Sequence, residues 1–209
     1  MLRLLGLIAF AGMAVFTLIA LIGALVSLAA GRRRAAVSLA RSWAGGLGLY
    51  ALAMFVVSVT SRTIVLPFGV EKRFCALDCD LAFSVAGVLP AQHRVSGRPG
   101  MIVTVKVRSD AAAATLRPSD VKVWLETTEG KRYWPEDPSP AAMREPLAPG
   151  AAHYVDFVFP EPPGRAPLRL VVVEGGWPSR LMIGDENSPL HRKVVMELPE
   201  LLSPDLPEG

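Results

Sequence analysis

Between Leu4 and Thr60 the chain carries two long apolar runs joined by the basic turn Gly31-Arg32-Arg33-Arg34, and no other feature restricts its fold as strongly. Residues 1–61 contain five Arg but no Asp, Glu or Pro, while all 18 prolines and all 19 acidic residues lie in the 148 residues that follow. Charge-free runs of this length are excluded from water, whereas the remainder has the mixed polarity of a folded soluble domain. The sequence therefore predicts a transmembrane hairpin over residues 1–61, a domain over 62–198 and a Pro-rich tail over 199–209.

The first run, Leu4 to Ala30, has 27 residues without a charge, and a bilayer core needs about 20 helical residues. A helix is expected over about 4–28. Met1-Leu2-Arg3 and the small residues Leu28-Ala29-Ala30 also fit a secretory signal, but signal apolar regions run only about 7–15 residues. The second run gives a helix over about 43–60, whose Gly45-Gly46-Leu47-Gly48 start would admit close approach of the first. Arg32, Arg33, Arg34 and Arg41 stand between the runs. By the positive-inside rule they hold the turn in the cytoplasm and put both chain ends outside, in the periplasm, at the cell surface or in a lumen. The expected location is thus the cell membrane, with two spans and the C-terminal domain outside.

Without the hairpin, 17 Lys and Arg face 19 Asp and Glu, so the net basicity of the chain belongs to the hairpin. A near-neutral domain lacks the basic field of a nucleic-acid binder, and no aromatic residues interleave with Lys or Arg along one face. Nucleic acid is excluded as a partner; the lipid bilayer is implied as one. One domain with a sizeable core fits the length.

After Ser61 the dominant signal is period two, the mark of half-buried strands. It runs through Cys75 to Val85, Met101 to Val107, Val121 to Leu125, Val155 to Phe159, Leu168 to Val172 and Val194 to Leu198. The apolar connector Arg62 to Val70 adds a first strand. Gly- and Pro-bearing turns separate these strands, among them Glu129-Gly130, Ala148-Pro149-Gly150 and Pro162-Pro163-Gly164. About seven short antiparallel strands at this spacing predict an all-β immunoglobulin-like sandwich.

Several of these stretches, read in order, resemble a known group. Arg117-Pro118-Ser119-Asp120, the Val121-Val123-Leu125 strand, Gly130-Lys131-Arg132-Tyr133, Leu147-Ala148-Pro149-Gly150, Val155-Phe157-Phe159 with Pro160, and Leu168 to Val173 are similar to the DUF4352 or telokin-like bacterial extracellular immunoglobulin-like domains. The resemblance covers roughly Gly100 to Gly175. It implies a β-sandwich outside the cell and transfers no catalytic residue. Two helices followed by a sandwich with Cys-x-x-x-Cys also resemble subunit II of haem-copper oxidases. There the His and Met ligands that follow the cysteines fall on Phe83 and Ala86, and thiolates without those partners do not make the copper site.

Cys75 and Cys79 have two readings. In an oxidising exterior a disulfide is expected, worth about 2 kcal/mol for so short a loop. A straight strand would instead hold them about 13 Å apart, beyond bridging distance; the chain then either bends to bridge them or buries both as small apolar residues.

The loop Gly175 to Pro189 is the other candidate. Trp177, Arg180, Asp185, Glu186 and Asn187 offer an aromatic, a cation and oxygen ligands suited to a partner or a hard cation, but the acidic residues lack the alternating spacing of a calcium loop. A plain strand connection with Trp177 as a lid on the sandwich is the expected form. His93, His153 and His191 are scattered singly. No Gly-x-Ser-x-Gly, phosphate loop or His-Glu-x-x-His occurs, so no catalytic residue, cofactor or metal is assigned. Two functions follow: a structural or protein-interaction module that binds an envelope protein, or an accessory subunit of a membrane redox or transport complex using Cys75 and Cys79 for metal or thiol chemistry.

Overall fold

The computed structural model describes residues 2–74, 80–92, 99–118, 120–138, 140–160, 167–175 and 177–199. They form two compact units, Met1–Arg62 with Gly176–Arg192, and Thr63–Gly175 with Lys193–Gly209.

In the first unit, α1 (Leu2–Ala29) and α2 (Arg33–Thr60) are joined by a tight turn. Gly31 adopts φ 71°, and the Arg32 and Gly31 amides donate to the Ser27 and Leu28 carbonyls at 2.8 and 3.0 Å. This paired closure satisfies carbonyls that the end of a helix leaves bare, and it needs the left-handed backbone that glycine adopts without strain. The second helix thus begins at Arg33 rather than near Trp43. Residues 33–42 contain no Gly or Pro and are rich in Ala and Arg, strong helix formers. Arg33, Arg34 and Arg41 are therefore helical, and only Arg32 stays in the turn.

The helices pack through a few small residues. A Cβ on Gly46 would lie 3.0 Å from the Phe16 ring, and one on Gly23 would lie 3.1 Å from Leu39 Cδ1. Trp43 Nε1 donates to Thr17 Oγ1 at 3.2 Å. Within the expected glycine cluster only Gly46 serves this contact; Gly45 and Gly48 face open space. Both helices are long and apolar enough to cross a membrane. Their outward sides carry large apolar residues, such as Ile19, Leu52 and Leu49, the last 69% exposed.

The second unit is a β-sandwich. One sheet has the order β1-β9-β8-β5-β6 and the other β2-β3-β4-β7. The strands are β1 (Ile64–Leu66), β2 (Lys72–Phe74), β3 (Leu81–Gln92), β4 (Pro99–Ser109), β5 (Lys122–Thr127), β6 (Arg132–Tyr133), β7 (Ala152–Pro160), β8 (Leu168–Val173) and β9 (Val194–Glu197). Compared with the seven expected, β2 and β6 are additional, each too short to show a period. Of the strand expected from Cys75 to Val85, the described part begins at Leu81 in β3, and β2 pairs antiparallel with it, Phe74 opposite Leu81. The expectation of wholly antiparallel pairing fails at β1, which runs parallel to β9 with Ile64 opposite Val194.

The alternation read from the sequence produces the core. Phe83, Val85, Met101, Val103, Val105, Val107, Val155, Phe157 and Phe159 from one sheet meet Val123, Leu125, Leu170, Val172 and Met196 from the other. Each such side chain contributes about 1.5–3 kcal/mol on burial. The register of β3 on β4 shifts between Val85 and Gly87, after which Val88 lies opposite Val103. One extra residue in a strand exchanges its two faces, so this bulge keeps Val88 on the core side where strict alternation would turn it out. Pro90 is tolerated beyond it because β2 covers β3 only from Leu81 to Phe83, leaving that edge without a partner strand among the described residues.

At one margin of the core Lys72 is almost fully buried. Its ammonium donates to the Val172 and Val194 carbonyls and lies 4.7 Å from the Phe74 ring centroid. Since β2 belongs to one sheet and β8 and β9 to the other, this side chain ties the sheets together.

Candidate functional site

The segment between β8 and β9 carries all five loop residues expected to interact, Trp177, Arg180, Asp185, Glu186 and Asn187, and it does not form a connection belonging to the sandwich. It is part of the helical unit. Trp177–Leu181 is a 3-10 turn that includes Arg180, and Gly184 continues the chain at φ 78°. Asp185 Oδ1 accepts the Asn187 amide at 2.7 Å. The Ser188 hydroxyl lies 2.6 Å from the Met182 carbonyl and 2.7 Å from the Asp185 carbonyl. The Asp185 and Ser188 side chains thus hold the loop's own backbone together, while Glu186 is buried. Among the described residues no group of three or more His, Cys, Asp or Glu is placed to hold a metal ion.

Three contacts seat the segment on the helices. The Tyr50 hydroxyl donates to the Leu181 carbonyl, and Ser61 Oγ accepts the Arg192 amide at 2.8 Å. At Gly6 the space of a Cβ is occupied by the Ile183 carbonyl, so any larger residue there would displace the segment. Sequence reasoning overlooked Gly6, Tyr50 and Leu181-Met182-Ile183. The available signal was that short apolar triplet inside an otherwise polar loop.

A second cluster lies on the outer face of the five-stranded sheet. Trp124, Val171, Val195 and Val65 stand in register across four strands and form a small apolar cluster. The neighbouring row is charged, with Glu126 opposite Arg169 and Arg169 opposite Glu197. At the β6 edge, Trp134 packs on Trp124 with ring centroids 5.4 Å apart and planes inclined by 41°. The Arg132 guanidinium lies 5.2 Å from the Trp124 ring centroid, and Glu126 Oε2 accepts from Trp124 Nε1 at 3.0 Å and Arg132 Nε at 3.3 Å. Lys131 covers Tyr133 at 5.3 Å. Trp134 nevertheless remains 49% exposed. A rigidly backed indole beside an oriented guanidinium has the composition that dominates binding energy at protein interfaces.

The remaining expected residues do not converge. Cys75 and Cys79, with the disulfide expected between them, and His93 lie outside the described residues, as does the tail from residue 200. His153 lies on β7 opposite Val107, and His191 is half-buried with Nδ1 2.8 Å from the Arg192 carbonyl oxygen. The two described histidines are thus on different units. Arg32, Arg33 and Arg34 lie at the tip of the helical hairpin, with Arg41 two turns along α2.

No protein-family model matches this chain, and no curated protein does. Among solved structures it is similar to an uncharacterised β-sandwich protein from Clostridium difficile 630, at 12% identity and a TM-score of 0.41, covering 66% of this chain and 96% of that one.

Proposed function

We propose that this protein is a membrane-anchored, exterior-facing β-sandwich that acts as a structural or protein-interaction module for another envelope protein. The observation that carries the reading is the pair of long helices whose apolar sides are left uncovered among the described residues. In water such faces would be strongly unfavourable; in a bilayer they are the ordinary lipid-facing surface. Arg32, Arg33 and Arg34 at the hairpin tip, reinforced by Arg41, support a cytoplasmic tip and an exterior sandwich.

An immunoglobulin-like assignment is supported by strand order. Strands β3-β4-β7 follow the A-B-E arrangement, and β9-β8-β5-β6 follow G-F-C-C′. Membership of the DUF4352 or telokin-like group draws support from Gly130 and Gly150, which stand at φ 86° and 72° in the two turns that carry the resemblance. The interaction surface in this reading is the Trp124, Trp134 and Arg132 ledge, where a partner would cover the exposed indole.

Membrane fractions washed in alkaline carbonate test the anchor. The full chain is expected to stay with the bilayer, and protease added to spheroplasts, whose outer face of the inner membrane is open to it, should remove the sandwich; release by carbonate, or protection of the sandwich in spheroplasts, would refute this arrangement. For the ledge, Trp134→Ser combined with Arg132→Ala should leave anchoring intact and abolish crosslinking to the envelope partner.

A further inference from the structure

We infer that residues 181–190 form a third membrane element, an in-plane segment lying in the outer leaflet with Leu181, Pro189 and Leu190 facing lipid acyl chains. The inference rests on the proposed membrane anchoring and extends it to a segment that no apolar run in the sequence identifies.

Depth is the first argument. Gly6, which the Ile183 carbonyl abuts, lies inside the apolar span Leu5–Ala29. Antiparallel packing sets Phe16 beside Gly46 and Gly23 beside Leu39, which places Gly6 level with Val56, about 6 Å short of the end of α2 at 1.5 Å per residue. Tyr50, bonded to the Leu181 carbonyl, originates about 15 Å from that end on the same rise. A segment held at these residues shares the depth of the helices that hold it.

Polarity is the second. The buried residues of the segment are Glu186 and Ser188, 3% and 2% exposed, whereas Leu190 is 65% exposed and Leu181 and Pro189 also face outward. Met182, Ile183, Asp185 and Asn187 are half-buried, so the segment's fully buried side chains are polar and its exposed ones apolar, the reverse of a loop in water and the arrangement a hydrocarbon environment favours.

Backbone satisfaction is the third. Lipid supplies no hydrogen bonds, so non-helical backbone at that depth must find partners within the protein. The Met182, Asp185, Ser188 and His191 amides donate to the Ser179, Met182, Asp185 and Ser188 carbonyls at 3.0–3.3 Å. Tyr50, Asp185 and Ser188 side chains bind further backbone groups.

The test uses the unmodified full chain in nanodiscs of phosphatidylcholine and phosphatidylglycerol containing a phospholipid with a diazirine on its acyl chain. After photolysis, adducts mapped by mass spectrometry are expected on Leu49 and Leu52 of α2, on Leu181 and Leu190, and not on the Glu129–Trp134 turn. Adducts on the helix but none on residues 181–190 would overturn this inference and leave the anchor standing; none on the helix would overturn both. In Gly6→Leu, adducts on residues 181–190 should be lost while those on Leu52 remain. Retention of both sets would overturn the seat assigned at Gly6.

Discussion

At the scale of single residues, the side chains with the most specific roles are those whose surroundings the sequence does not announce. Lys72 reads as an ordinary charge in an apolar connector, yet it is buried with its ammonium on carbonyls of the opposite sheet. Hydrogen bonds to a charged group are worth about 1.5–3 kcal/mol, so Lys72→Ala is expected to lower unfolding free energy by about that much in denaturant titrations of the full chain. Arg108 offers the contrast. It pairs with Glu71 at 2.7 Å and Asp110 at 3.1 Å, but these side chains are a quarter to a third exposed. Such pairs are worth about 0–1 kcal/mol, and Arg108→Met should shift the same titration by no more than that. Gly130 was legible as a turn residue. The Gly130 amide donates to the Thr127 carbonyl at 2.9 Å while its own φ is 86°, and Gly130→Ala should cost about 1–2 kcal/mol because a Cβ clashes in that region.

At the scale of elements, strand identity followed directly from alternation: Val155, Phe157 and Phe159, or Met101 to Val107, face the core as their period requires. Element ends were less legible. The arginine-rich stretch after Gly31 reads as a turn because its charges interrupt the apolar run, but charge is no obstacle to helix and nothing in residues 34–42 breaks one. Those arginines thereby become the basic end of α2. Replacing Arg32, Arg33, Arg34 and Arg41 together by Gln removes the charge asymmetry that orients the proposed hairpin. Protease accessibility in spheroplasts should then fall, as a fraction of chains inserts with the sandwich in the cytoplasm; unchanged accessibility would show that these residues do not set orientation.

At the scale of the molecule, the sandwich core is one continuous cluster drawing on both sheets, so a cavity anywhere in it weakens the whole unit. Phe157→Ala should cost about 3–5 kcal/mol, a large part of the roughly 5–15 kcal/mol that holds a domain folded, visible as a marked fall in thermal midpoint. The sequence by itself determined which stretches are apolar throughout, which alternate, where the basic residues stand and which residues line the core. These are local patterns, and each records only that a face must be covered. What covers it was decided by tertiary structure: β1 lying parallel to β9, the β3 bulge that returns Val88 to the core side, and the attachment of residues 177–192 to the helices instead of the sandwich. The bonds from Tyr50 to Leu181 and from Arg192 to Ser61 each join residues 131 positions apart. No local period spans that distance, because such contacts form only where the folded chain brings a hydroxyl to a bare backbone group.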